Sequence, residues 1–171
     1  MAPEVDGRPF APRPRRRRQD PRVLAAIALG GFAGGEARYL LGLAFPTAHA
    51  TFPATIFAIN ISGSFILALL LVLILEVWPP TKYLRPLFCT GFCGAYTTFS
   101  TWMVDTDKLI SAGRYGVAAA NVFGSLFAGL AATTLGLAVG RALVAYRNTR
   151  GTEEAAVPEQ HTESSESEAL R

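Results

Sequence analysis

Residues 91–105 read GFCGAYTTFSTWMVD, and how this stretch folds decides the architecture of the whole chain. Apolar residues flank it, yet Gly91, Gly94 and the hydroxyls of Thr97, Thr98, Ser100 and Thr101 interrupt what is otherwise an apolar helix. In lipid every backbone polar group needs a partner, so such a patch is tolerated at membrane depth only where protein or a hydrated cavity surrounds it. The pattern predicts a helix that breaks between Gly91 and Thr98. Breaking frees main-chain carbonyls, which at the midplane can coordinate a dehydrated monovalent cation. Thr97 and Thr101 then share a face at i,i+4, with Thr98 close to Thr101 at i,i+3, giving a track of hydroxyls. Phe99 and Trp102, three apart, also share a face. Their rings either pack against neighbours or present positive edges to an anion.

Composition supports a membrane setting for this patch. The chain has 171 residues, of which 50% are hydrophobic and only 17% charged, a balance too apolar for an ordinary soluble domain of this size. The charges are segregated: residues 1–22 carry seven arginines, and residues 151–171 carry six glutamates with a single arginine. Between them lie four apolar segments, at about 22–45, 52–77, 83–109 and 113–146. Each is near the roughly 20 residues needed to cross a hydrocarbon core about 30 Å thick. The expected fold is therefore an all-α integral membrane protein with four transmembrane helices, the third of them broken. Its transmembrane domain covers residues 22–146, with a disordered basic tail at 1–21 and a disordered acidic tail at 147–171.

The arginine run 15–18 stands beside the first span, where basic residues set topology more often than they bind nucleic acid. A cleaved leader is disfavoured, because the apolar region after Arg22 is long and broken by Gly34, Glu36 and Arg38. Cys89 and Cys93, four apart, suit neither a redox CxxC nor a short-range disulfide and read as buried apolar thiols.

Polar residues inside the spans mark where helices meet or where an ion passes. In the first segment Gly31 and Gly35 form a small-xxx-small pattern that permits close helix approach. Arg38 either snorkels to the helix end or faces an ion, and Glu36 adds a charge on a different face. Asn60, in AsnIleSerGlySer, must point inward, either into an interhelical hydrogen bond or toward a passing ion. Trp78-Pro79-Pro80 ends the second helix, and the fourth carries Asn121, Ser125 and Thr133 as its polar points.

Three blocks carry a resemblance: GlyGlyPheAlaGlyGlyGluAlaArgTyr (30–39), AsnIleSerGlySerPhe (60–65) and GlyPheCysGlyAlaTyrThrThrPheSerThr (91–101). Together they resemble the signature blocks of the CrcB/Fluc fluoride channel family, over about residues 23–145. The resemblance implies a fluoride-specific channel for passive efflux that lowers cytoplasmic fluoride, built as an antiparallel, dual-topology dimer. It also implies a structural sodium ion on the dimer axis, held by backbone carbonyls at the third-helix break. The matching positions are Gly94 and Thr97. It further implies an ion pathway at Asn60, Phe99, Ser100, Thr101 and Trp102, with Ser125 on the fourth helix and Arg38 on the first. Three positions depart from the family pattern. Trp102 stands where a second phenylalanine is common, Asn121 where a tyrosine is frequent, and Glu36 is an unusual charge.

An even number of spans puts both tails and the 78–85 loop on one side of the bilayer. Near the spans that side holds Arg13, Arg15, Arg16, Arg17, Arg18, Arg22, Lys82, Arg85, Arg147 and Arg150, against Lys108 and Arg114 opposite. The bias predicts cytoplasmic termini in a multi-pass plasma-membrane protein. It also raises pairing with an oppositely oriented paralogue as an alternative to a homodimer. A rival function is a proton-coupled small multidrug transporter, for which Glu36 is the one favourable point. No enzyme is expected, since an intramembrane serine hydrolase built on Ser64 needs a histidine within reach, whereas His49 lies in a loop and His161 in the acidic tail.

Overall fold

The computed structural model describes residues 20–78 and 81–169, with the backbone alone from residue 151. All the regular structure among these residues is helical. Helix α1 covers Pro21–Ala44, α2 Ala54–Glu76, a π-helical stretch Pro86–Cys93, α3 Gly94–Tyr96, α4 Phe99–Ser111 and α5 Tyr115–Ala169. Of the expected basic tail, residues 1–19 lie outside the described residues, while Asp20 and Pro21 already belong to the start of α1.

Local chemistry explains these ends. The Asp20 carboxylate accepts the Arg22 N–H at 3.0 Å and caps α1, and Pro21 occupies a first-turn position where no N–H is needed. Between α4 and α5, Gly113 takes φ +72° and turns the chain, a conformation open to glycine without steric cost. From 147 the backbone carries on α5 as helix through Ala169.

Two helices among the described residues are long and apolar enough to cross a membrane: α2, and α5 over Tyr115–Arg150. The third expected span is divided between the Pro86–Tyr96 helical run and α4, so neither piece is long enough alone. Helix α1 has the length, at 24 residues, but carries Arg22, Glu36 and Arg38.

Helix α2 packs mainly against α5, and α1 mainly against the π-helical stretch. Both contacts use missing side chains. Gly30 lies against the Leu87 carbonyl, Gly34 against the Phe92 carbonyl and Gly91 against the Ile27 carbonyl, so a Cβ at any of them would strike backbone. Gly136 of α5 meets the Phe65 carbonyl and Ala68 of α2 in the same way. The close approach expected at Gly31 and Gly35 is thus made one residue earlier, with Gly35 facing open space. Both pairs have the i,i+4 spacing, so spacing alone does not choose between them.

The side chains shielded from outside are few, among them Ile59, Val72, Cys93 and Leu109, while Phe32, Leu40, Phe123, Phe127 and Leu130 lie exposed. Such an apolar exterior suits lipid or a partner subunit.

Candidate functional site: a backbone break locked to Asn60

The helical run that begins at Pro86 stops at Tyr96, because Thr97 (φ −76°, ψ 156°) and Thr98 (φ −147°, ψ 122°) are extended. Two devices hold the interruption. The Asn60 carboxamide of α2 pairs with Thr98 in both directions: its Nδ2 donates to the Thr98 carbonyl at 3.0 Å, and the Thr98 N–H donates to Oδ1 at 2.8 Å. Thr98 also caps α4, its Oγ1 accepting the Thr101 N–H at 3.2 Å. Gly63, beside Asn60 on α2, leaves room for the Thr97 methyl and the Tyr96 ring.

These two bonds redirect the donors that a continuous helix would use. The Thr98 N–H would otherwise reach back to the Gly94 carbonyl, and the Thr101 N–H to the Thr97 carbonyl. Each is given instead to a side-chain oxygen. The carbonyls just before the break thus lose their ordinary helical donors, those of Gly94 and Thr97 among them, and Gly94 stands at the exposed surface of the chain. No group of three or more His, Cys, Asp or Glu side chains suited to a metal occurs among the described residues. Main-chain carbonyls are neutral oxygen donors of the kind that line monovalent-cation sites in broken membrane helices.

Around the break lie two clefts that share Asn60, Ser64 and Trp102. One, of about 300 Å³, extends to Ser125 and Thr133 of α5. The other, of about 270 Å³, extends to Thr97, Thr98 and Phe99. Phe99 packs edge-on to Trp102, with centroids 5.4 Å apart and planes at 68°, and remains 70% exposed. The Ser125 Oγ is buried with no hydrogen-bond partner. A buried hydroxyl left unpaired is costly, and here it lies on an α5 residue lining the first cleft.

Most of the expected residues come together here. Thr98 Oγ1 links the hydroxyls of Ser100 at 3.3 Å and Thr101 at 3.1 Å, although neither of these lines a cleft. Arg38 is half-buried on α1 and lines neither cleft. Four residues of the assembly were not singled out as site residues: Thr98, Ser64, Thr106 and Asn121. Ser64 Oγ donates to the Asn60 carbonyl at 2.8 Å, and its position four residues after Asn60 was the available signal. Thr106 and Asn121 are joined by a buried hydrogen bond of 2.9 Å, for which no local spacing gives a cue.

Comparison with known proteins follows the same region. Residues 25–137 match the family described as CrcB-like protein, Camphor Resistance (CrcB). Over 125 residues the chain is 68% identical to a protein of Streptomyces avermitilis named fluoride-specific ion channel FluC 3, covering 73% of this chain and 61% of that one. It is 37% identical over 127 residues to fluoride-specific ion channel FluC 1 of Streptomyces coelicolor, covering 74% and 82%. With fluoride-specific ion channel FluC of Chlorobaculum tepidum it shares 44% over 105 residues, covering 61% and 83%. The chain thus spans about three fifths of the length of the first of these relatives. The match runs through the α1 glycines, Asn60, the Thr97–Thr98 break and Ser125, and on that basis the chain belongs to the CrcB family.

Proposed function

We propose that this chain is a subunit of a fluoride-specific ion channel that lets fluoride leave the cytoplasm passively. The observation that carries the reading is the shared cleft at Asn60 in a chain 68% identical to a relative bearing that name. Fluoride is small and strongly hydrated, so a selective path must replace its water with donors at close range. Asn60 spends one Nδ2 hydrogen on the Thr98 carbonyl and keeps the other. The Ser125 hydroxyl is a second spare donor. The exposed Phe99 ring offers its positive edge. None of these carries a full charge, so the ion is held loosely enough to move on, as conduction requires.

A single chain leaves this arrangement incomplete. Phe99 stands open at its surface, and two carbonyls are too few oxygens to replace the shell of a monovalent cation. A second subunit placed against the break, antiparallel to the first, would supply the remaining oxygens and cover the aromatic face. Gly94 and Thr97 of each subunit would then hold a structural sodium ion, which supplies fixed positive charge at the interface. We read the α1, α2, Pro86–Ser111 and α5 units as four crossings of the plasma membrane, with both termini cytoplasmic. The partner is a second copy or an oppositely oriented paralogue. Ser100, Thr101 and Arg38 are assigned to the pathway more distantly, since they do not line the clefts.

The test is fluoride release from proteoliposomes that hold the chain together with the partner subunit it assembles with, a second copy or the paralogue, with chloride as the control anion. Asn60→Asp removes the donor facing the ion and sets a carboxylate against the Thr98 carbonyl, while Phe99→Ile removes the ring. Each variant is expected to abolish fluoride release while the protein still assembles. Undiminished release in both would defeat the assignment. Glu36 distinguishes the multidrug-transporter alternative, which predicts pH-driven uptake of an organic cation.

A further inference from the structure

Trp102 is the residue where this chain departs most from a simple pair of phenyl rings, and its neighbours form a closed hydrogen-bonded circuit. Its indole Nε1 donates to the Asn121 backbone carbonyl at 3.2 Å. The Asn121 Nδ2 donates to Thr106 Oγ1 at 2.9 Å, and Thr106 Oγ1 donates to the Trp102 carbonyl at 2.9 Å. Because the Thr106 hydroxyl gives its proton to Trp102, it can only accept from Asn121, which fixes the orientation of the amide. Asn121 is completely buried and Thr106 is 5% exposed. Asn121 Oδ1 is left with no partner, a cost the circuit has to offset.

From this geometry we propose that Asn121 and Thr106 are positioning residues for ion selectivity: they clamp Trp102 between α4 and α5 so that its N–H is withheld from the conduit. The inference rests on the fluoride-channel reading. An indole N–H is a far stronger donor to a small anion than a ring edge. Left free beside Asn60, it would bind the ion tightly, and conduction requires binding weak enough to release. Tied to the Asn121 carbonyl, the indole presents only carbon to the clefts and acts as a ring wall against Phe99.

The test exploits the presence of only two tryptophans in the chain. In a Trp78→Phe background, the emission of the full-length protein reports Trp102 alone. Thr106→Val and Asn121→Leu each break the Asn121–Thr106 side-chain bond with little change of volume, leaving the backbone carbonyl of residue 121 in place but no longer held against α4, and Thr106→Ser keeps that bond. Both disruptive variants are expected to shift the emission maximum, to raise quenching by acrylamide, and to lower the fluoride-to-chloride flux ratio by about tenfold. Thr106→Ser should stay close to the parent on all three readouts. The double variant should lose no more than either single one. In a Trp102→Phe background the Asn121→Leu effect on the flux ratio should shrink, since phenylalanine needs no clamp. Unchanged emission and an unchanged flux ratio in both disruptive variants would overturn the proposal, as would additive losses in the double variant. If the parent assembled with its partner subunit passes no fluoride, the channel reading fails, while the emission and quenching arm still decides whether the clamp exists.

Discussion

At the scale of single residues, the arrangement turns on one carboxamide that satisfies both backbone groups of Thr98. Extended backbone in the middle of a helical run exposes an N–H and a carbonyl, and each costs about 1–3 kcal/mol if buried unpaired. Asn60→Leu, which cannot pair with either, should therefore destabilise the protein by about 2–6 kcal/mol from the two groups together, read as a lower thermal midpoint in detergent. The Thr98 cap is smaller in effect. Thr98→Val removes the acceptor of the Thr101 N–H and should cost about 1 kcal/mol, with Thr98→Ser close to neutral. Equal midpoints for Thr98→Val and Thr98→Ser would mean that the cap holds nothing. Asn60 was legible in the sequence because an amide inside an apolar run must find a partner, and it finds one in the Thr98 backbone. It makes an interhelical bond and still retains one donor. Thr98 was harder to see, since a hydroxyl beside three others gives no hint that it alone will cap α4. Asn121 was visible only as a departure, because its partners, Thr106 and Trp102, lie on another helix.

At the scale of elements, the interruption at Thr97–Thr98 falls within the window that the glycines and hydroxyls marked out. The wide π-helical turn before it was not legible. Its sequence, PLFCTGFC, is ordinary apolar helix by composition, and its distinguishing surroundings are tertiary, with Gly30, Gly34 and Gly91 bringing α1 onto its carbonyls. Gly34→Ala drives a Cβ into the Phe92 carbonyl and is expected to cost about 1–3 kcal/mol through overpacking. Gly35→Ala, one residue along and facing open space, should be neutral or slightly stabilising through helix propensity. Comparison of their thermal midpoints tests which glycine pair carries the contact, and equal losses would refute the assignment. The start of α1 is held differently. Asp20 caps the helix and pairs with Lys82 at 2.6 Å. The Lys82 ammonium holds the Asp20 carboxyl below its ordinary range, and Asp20 in turn raises the Lys82 ammonium. A lowered carboxyl contributes stability that is lost as pH falls through its folded value. A raised ammonium contributes stability that is lost as pH rises through its own. The contact should therefore be insensitive to pH between the acid and alkaline extremes. Asp20→Asn, which keeps the cap, should produce a small loss confined to that window and diminished by salt.

At the scale of the whole molecule, the distribution of basic residues argues for one orientation in the membrane. Ten basic residues named above fall on the side of the tails and the 78–85 loop, against Lys108 and Arg114 on the other. Positive charge near span ends is retained in the cytoplasm. Helix α5 adds to the bias, since its polar continuation past Arg150 to Ala169 would have to be translocated for the inverted form. An antiparallel pair needs one subunit in each orientation, so a chain that inserts one way requires a differently charged partner. The prediction can be read by labelling. In a Cys89→Ser, Cys93→Ser background, a cysteine at Ala112, in the α4–α5 turn, should react with an impermeant maleimide applied outside intact cells. A cysteine at Thr149 should react only after the membrane is opened. Comparable labelling of both positions in intact cells would show two orientations and favour a homodimer. One-sided labelling together with fluoride flux from the chain expressed alone would refute the antiparallel arrangement itself, because a single orientation could not then supply both halves of the interface.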